Sequence, residues 1–213
     1  LSLFTQAFNY AAEPFFFRNA SRKDAMPIYA KVALYFTVVG ALGFLGITLY
    51  MDIAKWFIGE DYWDGLVIVP ILLLANLCLG VYYNFAIWYK LKDKTMIGAY
   101  IAIGGALITL ALNYWWIPRI GYIGSAWATL ICYASMAIAC YVVGRKYYPV
   151  PYDIGRMLLY IVIALLIYGG NIVARNTFGD GTILLYVTNT LLIGIFLAIF
   201  YKLDGQSLRK AAG

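Results

Sequence analysis

Seven long apolar stretches, at about residues 1–17, 29–50, 66–89, 96–116, 121–143, 155–174 and 182–201, alternate with short polar gaps. Each of the last six runs for roughly 20 residues, enough at about 1.5 Å per residue to cross a hydrocarbon core of about 30 Å. Lipid offers the backbone no hydrogen-bond partners, so a spanning segment closes its bonds within itself as a helix or with neighbours in a closed barrel. Barrel strands are about 10 residues long and alternate in polarity; these runs do neither. The pattern predicts an all-α polytopic membrane protein with six full transmembrane helices and one partial helix at 1–17.

The gaps carry charge asymmetrically. Arg18, Arg22, Lys23 and Lys31 fall in the first, Lys90, Lys92 and Lys94 in the third, Arg145, Lys146 and Arg156 in the fifth, and Lys202, Arg209 and Lys210 in the tail. The remaining gaps hold only Lys55, Arg119 and Arg175, with Asp52, Glu60, Asp61, Asp64 and Asp180. Cations stay on the cytoplasmic side of an inserted chain, which places the tail inside. Aromatic rings collect at both borders, Trp56, Trp63, Trp115, Trp116 and Tyr122 at the outer ends and Tyr89, Tyr147, Tyr148 and Tyr201 at the inner, as interfacial belts do. The first run then descends from outside to inside and opens at Leu1 without a start methionine, so we expect a C-terminal portion of a longer protein.

Composition agrees: 64% of residues are hydrophobic, 12% are charged and mean hydropathy is +0.79. The net charge of +6 follows from the loop bias and gives no reason to expect nucleic acid. Cys78, Cys132 and Cys140 all lie within apolar runs, without paired spacing, and the chain has no histidine; neither a disulfide framework nor a metal site is expected. No nucleophile-elbow, phosphate-loop or zinc motif occurs. We expect no enzyme activity and no cofactor.

The links are short. Residues 117–121 predict a tight turn in which Pro118 ends a helix and Gly121 allows the reversal, and the 90–94 link is equally tight. Short links predict antiparallel sequential neighbours. The 144–156 gap contains Pro149 and Pro151, reads as stiff, and marks off a final helix pair. Small residues share helix faces, Gly98, Ala102, Gly105 and Thr109 on one and Gly124, Ala128, Cys132, Ser135 and Ala139 on another, and predict packing seams.

Candidate chemistry lies in polar residues at membrane depth. Asn9, Asn76, Asn84, Asn113, Asn171 and Asn189, with Tyr10, Tyr35 and Tyr83, either bridge helices or face a water-filled path. Asn76 and Tyr83 are seven apart and share a face. Glu13 is the one acid inside an apolar run, so it needs a partner, a proton or water. Its reading stays open between a gate or cation site and a helix-end carboxylate near Arg18. Pro14 follows it and removes a backbone donor.

Several stretches resemble one family. They are Ala11-Ala12-Glu13-Pro14-Phe15-Phe16-Phe17 followed by Tyr29-Ala30-Lys31-Val32 and Tyr35-Phe36; Asn113 through Ile117-Pro118 and then Gly121-Tyr122-Ile123-Gly124-Ser125-Ala126-Trp127-Ala128-Thr129; and the Lys90-x-Lys92-x-Lys94 turn before a Gly-rich helix. Together these are similar to polysaccharide-export flippases of the multidrug/oligosaccharidyl-lipid/polysaccharide exporter superfamily. The resemblance implies a two-lobed, MATE-like transporter. Residues 1–148 would form its C-terminal lobe, lacking the first lobe helix, and 149–213 an extra helix pair with a cytoplasmic tail.

It implies a bacterial inner-membrane flippase that moves polyprenyl-diphosphate-linked oligosaccharide by alternating access, with H+ or Na+ as the coupling ion and polysaccharide assembly machinery as a partner. Lys31 at the inner mouth and Arg175 at the outer end would either meet the diphosphate or snorkel to the interface as anchors. Glu13, Tyr35, Asn76, Tyr83 and Asn113 would line the cavity, and Pro14, Pro118, Gly121, Gly124 and Ala128 would be scaffold. A drug/cation antiporter and a lipid II flippase are the alternatives. A membrane glycan polymerase or ligase is disfavoured because the 51–65 loop lacks the Arg and His such an enzyme would use.

Overall fold

The computed structural model describes residues 1–56, 58–179 and 181–212, with the side chains of all of these except 178 and 206–212. Asp180 and the side chains of Arg209 and Lys210 lie outside that description. Among the described residues the secondary structure is entirely helical. The elements are α1 (Ser2–Asn19), α2 (Ala25–Leu49), α3 (Met51–Lys55), a 3-10 segment (Glu60–Ile68), α4 (Val69–Phe85), α5 (Ile87–Leu91), α6 (Thr95–Ile120), α7 (Tyr122–Tyr147), α8 (Ile154–Phe178) and α9 (Ile183–Ala212). Six helical stretches are long and apolar enough to cross a membrane, the 3-10 segment, α4 and α5 counting as one. The chain is an all-α, multi-pass membrane protein. Below, its two ends are called the basic end (Lys31, Lys90, Arg145, Arg156) and the acidic end (Asp52, Glu60, Asp61, Asp64).

Helix α4 is the hub. It packs on α7, α2 and α1; α6 lies outside α7, and α8 and α9 lie against α2. The turn at 90–94 joins α5 to α6, yet the body of α4 packs on α7 rather than on α6. One tryptophan explains the exchange. Trp88 is buried, donates its Nε1–H to the Cys140 carbonyl (3.2 Å) and stacks on Tyr147. It fits because Gly144 has no side chain; a Cβ there would sit 2.7 Å from the indole. The helix breaks at Ala86, beside this insertion.

Other close approaches seat the remaining contacts. A Cβ on Gly105 would meet Met136 and Cys132, and the Cys132 thiol donates to the Gly105 carbonyl, as the α6–α7 seam predicts. Gly124 and Ala128 are buried on α7, and a Cβ on Gly124 would strike Trp116.

The proline rule needs correction at 118. Pro118 does not end α6; the helix continues to Ile120. Pro118 removes the hydrogen bond of its own missing N–H while the helix runs on, and Gly121, at φ +60°, makes the reversal while its N–H caps the Ile117 carbonyl (2.9 Å). Pro14 likewise lies inside α1. The acidic 51–65 gap is built rather than loose: Lys55 sits over the Trp63 ring, and the Tyr122 hydroxyl donates to the Asp64 carbonyl.

Residues 148–153 cross the basic end between α7 and α8. Val150 is buried, and Tyr152 donates its hydroxyl to the Asn84 carbonyl (3.1 Å). Burial pushes the phenol pKa of both Tyr152 and Tyr148 upward, so both remain neutral donors through the physiological range. The buried core is continuous from α2 and α4 through Met157, Tyr160 and Ala164 of α8 to Phe196 of α9.

Candidate functional site

The polar candidates fall in three places. The first is a strip along α1, α4 and α5. Asn76 and Tyr83 are seven residues apart, and Lys90 lies seven further on, beyond the break at Ala86; two helical turns bring each back near the same face. Helix α1 lies alongside, held by Phe4 and Phe8 against the Phe36 ring and by Thr5 Oγ1 donating to the Asn76 carbonyl (3.4 Å). Tyr10 and Glu13 therefore join the strip from α1.

Lys90 Nζ reaches Glu13 Oε2 at 2.5 Å, and both side chains remain about a third exposed, at 30% and 38%. Tyr10 is 78% exposed and lies near the half-buried Tyr83. Tyr89 and Tyr82 share a hydroxyl–hydroxyl bond of 3.2 Å beside the pair. Glu13 thus has a partner, Lys90, that its reading in the sequence did not supply. Arg18 makes no ion pair with Glu13. The signal for Lys90 was present as the third member of the seven-residue polar series. Asn76 spends its amide on the Leu72 carbonyl of its own helix.

The second place is a cleft of about 250 Å³ at the basic end, lined by Lys31, Tyr35, Pro27, Pro151, Arg156 and Asp204. Asp204 is 2% exposed, and burying a carboxylate requires dedicated partners. Arg156 Nη1 donates to it at 2.6 Å, and the Tyr160 hydroxyl at 2.5 Å. Asp153 caps α8 by accepting from the Arg156 backbone N–H, and its carboxylate also pairs with the Arg156 side chain. Lys31 is exposed at the rim.

The third place is the acidic end. Arg175 Nη1 donates to Asp52 Oδ1 at 2.7 Å, Nε to Asn171 Oδ1 at 3.0 Å and Nη2 to the Leu49 carbonyl at 3.4 Å. Asn171 donates to Asn189 Oδ1 (2.6 Å), and Asn189 in turn donates to the same Leu49 carbonyl (2.6 Å). Both asparagines are fully buried. They bridge helices and face no water-filled path. Arg175, expected at an outer mouth, ties α8 to the end of α2 and to α3, with Asp52 buried beside it.

Asn113 sits apart from all three, on the acid-end turns of α6 beside Tyr114 and Pro118. The structure does not gather the candidates into one pocket: Glu13, Asn76 and Tyr83 share the strip, while Lys31 and Tyr35 share the cleft. Among the described residues no cluster of His, Cys, Asp or Glu could hold a metal ion, and the three cysteines are free. Comparison of the chain with protein-family models, curated proteins and solved structures returns no match.

Proposed function

We propose that this chain is the C-terminal lobe of a flippase that carries a polyprenyl-diphosphate-linked oligosaccharide across the bacterial inner membrane, with its C-terminus in the cytoplasm. The observation that carries the reading is the uncovered polar strip with the Glu13–Lys90 pair at its basic end. Polar side chains such as Asn76 and Tyr83 at membrane depth need partners or water. Helix α8 packs on α2 and leaves the strip uncovered, and Tyr10, Glu13 and Lys90 keep exposed surface along it. It therefore faces water or a second lobe across a cavity.

A glycan with a diphosphate needs such a track for its polar part, while its lipid tail stays in the bilayer. Lys90 is the charge positioned to change partners. It pairs with Glu13 and would transfer to a phosphate oxygen as substrate enters, since charge-assisted bonds of both kinds are of similar strength. A drug/cation antiporter needs a carboxylate ready to take a cation or proton. Glu13 is already neutralised by Lys90, which weighs against that alternative.

The test places the full-length protein in a strain lacking its own O-antigen flippase and measures surface polysaccharide at matched membrane levels. Wild type restores polysaccharide. Lys90→Ala reduces it by about tenfold or more, the equivalent of one charged hydrogen bond of about 1.5 kcal/mol, and Glu13→Gln reduces it less. Full activity of Lys90→Ala would refute the role of the strip. Normal insertion with no restoration by wild type, together with measurable drug efflux, would transfer the reading to the antiporter.

A further inference from the structure

We propose that a groove between α4, α7 and α8 is a binding site for one anionic phospholipid of the leaflet at the basic end. The groove has a volume of about 280 Å³ and is lined almost wholly by carbon. Cys78, Val81 and Phe85 of α4 form its floor, Ala134 and Tyr141 of α7 one wall, and Leu158 of α8 the other. It exists because of the chain path. Helices α7 and α8 are consecutive in sequence, but α8 packs on α2. The 148–153 crossing holds their basic ends apart.

Depth identifies the occupant. On α8 the groove uses residues from Ile154, at the start of the helix, to Ile161, and on α7 residues from Ala134 to Tyr141, within the last four turns. At about 1.5 Å per residue this lies within about 20 Å of the basic end, about the thickness of one leaflet with its headgroup region.

Charge identifies the headgroup. Arg145 lies one turn beyond Tyr141 on α7, 5.8 Å above the Tyr141 ring, and that ring lines the groove. Arg145 is exposed and, among the described residues, makes no ion pair. A guanidinium beside the aromatic ring at the basic end of an apolar groove suits a lipid phosphate bearing net negative charge. A zwitterionic headgroup would bring its own ammonium and gain less.

The experiment uses the full-length protein, delipidated in a neutral detergent and titrated with phosphatidylglycerol or phosphatidylcholine, with bound lipid counted by native mass spectrometry. Phosphatidylglycerol binds at least about fivefold more tightly than phosphatidylcholine, as expected for one cation at the membrane surface. Arg145→Gln removes that preference while the chain still binds. Ala134→Phe, at a half-buried position facing the groove, removes one bound lipid altogether. Equal affinity for the two lipids in wild type, an unchanged preference in Arg145→Gln, or full lipid occupancy in Ala134→Phe would each overturn the assignment. So would retention of a polyprenyl phosphate that phosphatidylglycerol fails to displace.

Discussion

Replacing Arg175 with alanine is expected to destabilise the fold by about 3–5 kcal/mol, the range for removing one partner of a buried ion pair. The Asp52 side chain is 8% exposed, and Arg175 at 18% is its charged partner. One Asp52 oxygen, Oδ2, is already buried without a hydrogen bond. Without the guanidinium the carboxylate loses its remaining ion-pair contact, and the Leu49 carbonyl loses one of its two long-range donors.

The pair also holds α8 to α3 across 123 residues of sequence, so the loss is tertiary rather than local. Asp52→Asn in the Arg175→Ala background removes the stranded charge and recovers part of the stability. The measurement is the midpoint of thermal unfolding in detergent for the four proteins of the cycle. Additive effects of the two substitutions would show that the pair is not coupled.

A comparable loss is expected at Gly80. A Cβ there would fall 2.0 Å from the Phe36 ring, which is 3% exposed between α2 and α4. A buried ring cannot swing aside as a long flexible side chain can, so the two helices must separate. Overpacking of this kind costs about 1–3 kcal/mol and occasionally more; Gly80→Val should exceed Gly80→Ala. Phe36 also carries Phe4 and Phe8 of α1, so the shift loosens the strip. Phe36→Leu combined with Gly80→Ala should be more stable than Gly80→Ala alone. If the double variant is less stable than both singles, steric conflict with Phe36 is not the cause.

What could be read from sequence follows the range of the interactions. The six spanning segments depend on apolar length and on charge in adjacent gaps, both local, and each appears as a helix close to its expected run. The break at Ala86 was not legible, because Trp88 makes it by reaching Cys140 and Gly144 on a helix more than 50 residues away. Pro118 costs α6 one backbone hydrogen bond without ending it, and the turn belongs to Gly121 three residues on.

The same division holds for the polar residues. The series Asn76, Tyr83 and Lys90 is periodic and could be found from spacing. The partners of Glu13, Arg175 and Asp204 could not, since they lie 77, 123 and 48 residues away. Asn171 and Asn189 resemble cavity residues in a sequence and become helix bridges only once α8 and α9 are placed side by side.

On the flippase reading, the strip through Tyr83 meets water inside the membrane. The most direct measurement is the reaction rate of single cysteines, on a background in which Cys78, Cys132 and Cys140 are alanine, with a membrane-impermeant thiol reagent in intact full-length protein. Tyr83→Cys should be labelled readily and be protected by lipid-linked oligosaccharide. Leu107→Cys, 62% exposed on α6 and facing lipid on this account, should react at least about tenfold more slowly, because the thiolate that reacts does not form in hydrocarbon. Equal, slow labelling at both positions would contradict the claim and leave the strip a packing surface.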